Sequence, residues 1–230
     1  MRVYYTSPPR EHEIGDLVST LRSRSHRSEL ERCTRLPTEA KRFHYLVGRQ
    51  LARHVIARES GYMVDAPVLE EDSRGRPRLA RRGHGINADL NTSHHGGRVC
   101  IAWNSRGRVG VDVQTPVAGW PEIARRFFDP QERASTWGLP SSQRAMAFAA
   151  LWAVKEAIWK THGTGPRYPL PYVGIIEDHR RPFRGRSEEL KWAVRPVRGA
   201  MVAVAWDSDS ELPDTDDWVI EIGLSDLCLS

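Results

Sequence analysis

Two stretches of the chain place hydrophobic residues at helical spacing. Between Arg42 and Gly61, the residues Leu46, Leu51, Val55 and Ile56 gather on one helix face, and Gly61 stands where a helix would end in a left-handed turn. Between Arg144 and Gly163, the residues Phe148, Leu151, Trp152, Val154, Ala157 and Ile158 make a helix that is apolar nearly all round, which predicts deep burial. Short runs rich in Val, Ile, Ala and Trp, bounded by turn residues, predict strands at Val3–Thr6, Val99–Trp103, Val109–Val113, Leu190–Pro196, Met201–Trp206 and Trp218–Ile222. Arg106-Gly107-Arg108 and the Gly/Pro-rich stretch from Gly163 to Pro171 read as turns rather than long linkers.

The pattern repeats along the chain. Arg98–Trp103 reads like Met201–Trp206, and the two predicted helices recur at nearly the same offset of about 100 residues. Few identities support either match singly; their shared order and spacing carry the reading. It predicts an α+β protein of two similar halves, residues 1–107 and 108–230, each a small sheet packed with helices and related by approximate two-fold symmetry. An internal duplication of this kind makes a monomer the natural state, since each half can supply the other's interface.

Composition narrows the classes. The chain has 230 residues, 40% of them hydrophobic and 27% charged, which is ordinary for a folded protein. The N-terminus reaches Arg10, Glu11 and Glu13 with no apolar run of signal-peptide or membrane-spanning length, so a cytoplasmic protein without a membrane anchor is expected. Cys33, Cys100 and Cys228 are far apart and in no CxxC spacing, which predicts reduced thiols rather than disulfides or a zinc site. The net charge of +5 is uneven: Arg74, Arg76, Arg78, Arg81 and Arg82 crowd one stretch, and Asp207, Asp209, Glu211, Asp214, Asp216 and Asp217 another. Such a chain attracts anions, whether nucleic acid, a phosphorylated small molecule or an acidic protein. No zinc-finger, RNP or helix-turn-helix signature is present, and the aromatics fall in apolar runs rather than among the arginines, which argues against nucleic acid.

Chemistry concentrates in two places. In Gly110-Val111-Asp112-Val113-Gln114 the strand alternation puts Asp112 and Gln114 on one face, and an aspartate inside an apolar strand needs a partner or a metal. In Trp152-Ala-Val-Lys155-Glu156-Ala-Ile-Trp159-Lys160, residues Trp152, Glu156 and Lys160 lie four apart along one helix face. If Asp112 and Glu156 converge, they form a hard oxygen site suited to Mg²⁺ bound with phosphates, with Lys155 and Lys160 as point charges for those phosphates. The alternative is that Asp112 caps a turn and Glu156 merely pairs with Lys160.

These segments resemble the signatures of Sfp-type 4′-phosphopantetheinyl transferases. Gly110–Gln114 looks like G-[IV]-D-[IVL]-E, and Trp152–Lys160 looks like W-x-x-K-E-[AS]-x-x-K. Gly75-Arg76-Pro77 is similar to G-[KR]-P, Leu90–His94 to F-N-[IL]-S-H, and Ile123–Phe128 to A-x-R-F-F; Arg32 to Ile56 resembles the family's basic helix region. The likeness runs from about residue 2 to residue 206. It implies two similar halves with the active site between them, and transfer of the phosphopantetheine arm of coenzyme A to a serine of an acyl or peptidyl carrier protein. It further implies that Asp112 and Glu156 ligate Mg²⁺ with the coenzyme A pyrophosphate, that Lys160 contacts a phosphate, that Arg76, Ser93 and His94 hold the nucleotide and its phosphates, and that Arg32 sits near the 3′-phosphate. Two departures stand out. Gln114 replaces a third metal carboxylate, and Glu29 stands where the resemblance places a lysine. Substrate carriers of this family are acidic around their serine, so Arg125 and Arg126, with Phe127 or Phe128 as an apolar contact, are the expected docking site.

Overall fold

The computed structural model describes residues 1–10, 13–61, 69–71, 76–79, 86–163, 172–174, 180–187, 190–207, 211–212 and 217–229. Gly75, Arg74, Arg81, Arg82 and the acidic residues Asp209, Asp214 and Asp216 lie outside them. The chain divides into two compact units, 1–105 with 212–230, and 106–211.

The first unit begins with β1 (Arg2–Thr6), α1 (Ile14–Ser23), α2 (Arg27–Thr34) and α3 (Glu39–Ser60), followed by the short β2 (Leu69–Glu71) and β3 (Pro77–Leu79), then β4 (Asp89–His95) and β5 (Arg98–Asn104). The second unit contains β6 (Val109–Gln114), α4 (Trp120–Phe127), α5 (Pro130–Gly138), α6 (Ser141–His162), β7 (Phe183–Ser187), β8 (Leu190–Val197) and β9 (Ala200–Trp206). The chain then returns to the first unit with β10 (Val219–Glu221) and α7 (Leu224–Leu229). That return differs from a division at 107/108. Val219, Ile220 and Glu221 pair in parallel with Val3, Tyr4 and Tyr5, so the C-terminal strand extends the sheet of the first unit.

Each unit holds a four-stranded sheet, ordered β10-β1-β5-β4 in the first and β6-β9-β8-β7 in the second. Within them β1-α3-β4-β5 and β6-α6-β8-β9 follow the same course: a strand, a 22-residue helix and a hairpin whose second strand lies beside the first. Both hairpins turn through two residues at positive φ, Gly96-Gly97 (56° and 77°) and Arg198-Gly199 (44° and 75°), as the tight turn that matches strand twist requires. Both long helices end at a left-handed glycine, Gly61 (φ 74°) and Gly163 (φ 66°). The repeat seen in the sequence is thus a repeated β-α-β-β unit, extended on different edges by β10 and β7.

Burial follows the predicted faces. Leu46, Val47, Leu51, Val55 and Ile56 of α3 pack with Val99, Ile101 and Trp103 of β5. Phe148, Leu151, Val154 and Ile158 of α6 pack with Trp192 and Val194 of β8 and Met201, Ala203 and Ala205 of β9. Among the described residues no helix is long and apolar enough to cross a membrane.

Candidate active site

Strand β6 is buried along its whole length. Its contact with α6 is set by Gly110: a Cβ there would lie 2.0 Å from the Ala157 carbonyl oxygen and 2.6 Å from the Thr161 amide and hydroxyl. Only a residue without a side chain allows strand and helix this close. Gly110, Asp112 and Gln114 share a face, so the same approach brings Asp112 under the helix turn that carries Glu156 and Lys160.

Lys160 ties the two elements together. Its Nζ donates to Asp112 Oδ1 at 2.7 Å and to the Val111 carbonyl at 3.1 Å. Asp112 is 5% exposed, so its charge has little access to solvent. Glu156 is half-buried, and its carboxyl is pushed up to about 7, first by burial and then by the Asp112 carboxylate, with the Lys160 ammonium opposing. Glu156 thus feels both Asp112 and Lys160 across this contact, and the ammonium of Lys160 bonds to Asp112. Gln114 donates through Nε2 to the Thr115 carbonyl at 3.1 Å, which leaves its Oε1 as the acceptor end on the same strand face. Hard oxygens from Asp112, Glu156 and Gln114 fit a magnesium ion.

Lys155 stands apart. The chemistry of its motif placed it at a phosphate, but it is fully buried and its Nζ lies 2.8 Å from Oε2 of an equally buried Glu132, with the Phe128 ring 5.5 Å away. Burial holds the Lys155 ammonium below its ordinary value, with Glu132 pulling the other way. Glu132 is itself fixed by α5: its Oε2 accepts from the Asp129 amide at 2.9 Å in a capping box, and its Oε1 from the Val173 amide at 3.0 Å. Lys155 therefore belongs to the core. Phe128 does too, 5% exposed and stacked on Phe148 at 5.2 Å, so it offers no contact to a partner. Phe127 is half-buried beside Trp152, while Arg125 and Arg126 are exposed on α4, Arg125 pairing with Glu122 at 3.1 Å.

In the first unit, Ser93 and His94 of β4 line a pocket of about 280 Å³ together with Lys41, His44, Tyr45, Gly48 and Arg49 of α3. Arg76 is not on its wall; it is mostly buried and bonds Asp89 at the start of β4, 2.5 Å away. Arg32 is exposed on α2. Glu29, at the expected lysine position, is buried, closes the capping box of α2 with His26 and pairs with Arg53, which accounts for a carboxylate there. His44, Lys41 and Arg49 were not read as site residues from the sequence. The signal for them was the basic helix region of Arg32 to Ile56, within which they share one stripe of α3 beside the S-H motif.

The match to protein families decides the assignment. The model of the 4′-phosphopantetheinyl transferase superfamily matches residues 108–220, and that of the 4′-phosphopantetheinyl transferase N-terminal region matches residues 8–106. The chain belongs to the 4′-phosphopantetheinyl transferases. Among its relatives in that family are the 4′-phosphopantetheinyl transferase HetI of Nostoc, 29% identical over 208 residues (89% of this chain and 78% of that protein), and the 4′-phosphopantetheinyl transferase Sfp of Bacillus subtilis, 28% identical over 179 residues (76% of each). A putative 4′-phosphopantetheinyl transferase of Synechocystis is 30% identical over 131 residues, 56% of this chain and 52% of that protein. The two family models meet near residue 107; the superfamily model covers the whole β6-α6-β8-β9 segment and the N-terminal model covers α3, β4 and β5 of its counterpart.

Proposed function

We propose that the protein is an Sfp-type 4′-phosphopantetheinyl transferase that moves the phosphopantetheine arm of coenzyme A onto a serine of an acyl or peptidyl carrier protein. The observation that carries this reading is the meeting of Asp112, Glu156 and Lys160 at the β6–α6 contact. When bound, Mg²⁺ would supply a Lewis acid to the coenzyme A pyrophosphate, and Asp112, Glu156 and the Gln114 amide oxygen are the residues that would hold it.

The residues divide the work. The carrier serine Oγ attacks the β-phosphorus of coenzyme A, the bond from that phosphorus to the bridging oxygen breaks, and 3′,5′-adenosine bisphosphate leaves with the bonding pair. Lys160, held at Asp112, offsets negative charge building on the pyrophosphate. Glu156 or a water molecule beside it takes the serine proton. Ser93 and His94 hold the nucleotide end in their pocket, and Arg76, just before β3, and Arg32, on α2, serve the nucleotide phosphates. The acidic carrier docks at Arg125 and Arg126 with Phe127 beside them. Action in the cytoplasm fits the buried thiol of Cys33.

The decisive experiment incubates the protein with coenzyme A, Mg²⁺ and an apo-carrier protein and looks by mass spectrometry for the phosphopantetheine addition. Asp112→Ala and Glu156→Ala should each abolish it while the protein stays folded, and Gln114→Glu should keep it and tighten Mg²⁺ binding. Turnover in either alanine variant equal to that of the wild type refutes the site.

A further inference from the structure

The pocket of the first unit contains an imidazole to which the reaction above gives no task. His44 projects from α3 on the stripe shared by Lys41, Tyr45 and Gly48, all of which line the pocket. Its ring lies 4.7 Å from that of His94, tilted by 32°, and its other neighbour is the buried Phe43, edge-on at 5.8 Å and 60°. The contact is asymmetric: His94 is exposed on its strand, whereas His44 is half-buried against the core. A ligand that uses a surface imidazole gains when that ring is already held in one orientation. The His44 ring packs on His94 and restricts the orientations open to it.

We propose that His44 is a positioning residue for substrate binding, a ring braced on Phe43 that holds the His94 imidazole in the orientation in which it meets the nucleotide end of coenzyme A. The inference rests on the reading of Ser93 and His94 as nucleotide contacts. Two further features support it. Burial, with the imidazoles of His94 and His95, lowers His44 to about 4, so it stands beside His94 as an uncharged ring at neutral pH. At Gly48, one helical turn along, a Cβ would meet only Val99 Cγ1 at an ordinary 3.9 Å, so packing does not demand a glycine; its effect is to keep the pocket open beside the stacked rings.

The test uses the full-length protein, with the Michaelis constants for coenzyme A and for carrier, kcat, and calorimetric binding of adenosine 3′,5′-bisphosphate. His44→Ala should raise the coenzyme A KM and the bisphosphate Kd about two- to tenfold, the range that aromatic pairs contribute, and leave kcat and the carrier KM unchanged. His44→Phe, which keeps a ring, should restore both constants, and His44→Leu, which fills the space without a ring and guards against a folding defect, should behave as His44→Ala. His44→Ala should add nothing to His94→Ala. Normal coenzyme A binding in His44→Ala and His44→Leu, or a His44→Phe variant as weak as either, overturns the proposal. If His94→Ala itself leaves the coenzyme A KM unchanged, the nucleotide assignment of the pocket falls; if His94→Ala weakens binding and His44→Leu does not, the positioning role alone is refuted.

Discussion

Lys155→Met should unfold the second unit more easily without touching the substrate. The substitution keeps most of the side-chain volume and deletes the ammonium that faces Glu132 across 2.8 Å, where neither side chain reaches solvent. Removing one partner of a buried ion pair costs about 3–5 kcal/mol, because the other charge is left uncompensated. Glu132 retains two backbone donors, the amides of Asp129 and Val173, so the low end applies, about 3 kcal/mol. For a chain of this size that corresponds to a fall in melting temperature of about 6–12 °C. Glu132→Gln in the same chain removes the orphaned charge while keeping an acceptor oxygen, and should recover part of the loss, a coupling that a double-mutant cycle reads directly. Urea unfolding of the four proteins, with calorimetric binding of coenzyme A to each, separates the two roles of a lysine in this motif. A Lys155→Met protein as stable as the wild type but weak in coenzyme A binding would refute the burial argument and return Lys155 to the phosphates.

Three further outcomes follow from the geometry. Gly110→Ala pushes a methyl into the Ala157 carbonyl, so it should both destabilise the second unit and abolish transfer; a stable, active variant would mean that α6 does not need its close approach to β6. Because Glu156 keeps its proton up to about pH 7, Mg²⁺ must displace that proton below neutrality: affinity should rise with pH through about 7, and calorimetry in buffers of different ionisation enthalpy should register proton release, whereas a pH-independent affinity counts against the assignment. The linked stability term has the opposite slope, since the folded state binds more protons than the unfolded one between the ordinary glutamate value and about 7, and stability from this group is therefore lost as pH rises across that window. Arg125→Glu combined with Arg126→Glu should raise the carrier KM and blunt its salt dependence with the coenzyme A KM unchanged; equal losses for both substrates would place these arginines at the nucleotide instead.

Much of the fold was legible because its strongest signals are local. Leu46 to Ile56 and Phe148 to Ile158 repeat at helical spacing, and Gly61 and Gly163 adopt the left-handed turn that their position predicts. The helix starts came out a few residues late, since Thr38 caps α3 by accepting from the Lys41 amide at 3.2 Å ahead of the first apolar position, and α6 starts directly after Pro140. Strand β4 escaped as a strand because Asn91, Thr92 and Ser93 are polar; it is a strand through its pairing with β5, a non-local cause. Strand β7 escaped for a similar reason, with arginines alternating along a sheet edge. At the site, Asp112, Glu156 and Lys160 were readable as a set, because strand and helix periodicities fix which residues share a face. The burial of Lys155 was not. Its partner comes from another helix, although the Asp129-Pro-Gln-Glu132 capping box and the apolar neighbours Leu151, Val154 and Ile158 were both present in the sequence.

The order in which the elements leave the ribosome gives the parallel β1–β10 pairing a temporal consequence. Strands β1, β5 and β4 are complete once Asn104 has been made, yet one edge of β1 waits for Val219–Glu221, with the entire second unit synthesised in between. At roughly 5–20 residues per second that interval lasts about 6–23 s, long compared with the folding of either sheet. Throughout it, Val3, Tyr4 and Tyr5 present an unpaired apolar edge, the arrangement that recruits foreign strands. The half of the molecule that is made first is therefore finished last, and a nascent chain stalled within the second unit should be the form that chaperones hold and that aggregates when they are scarce.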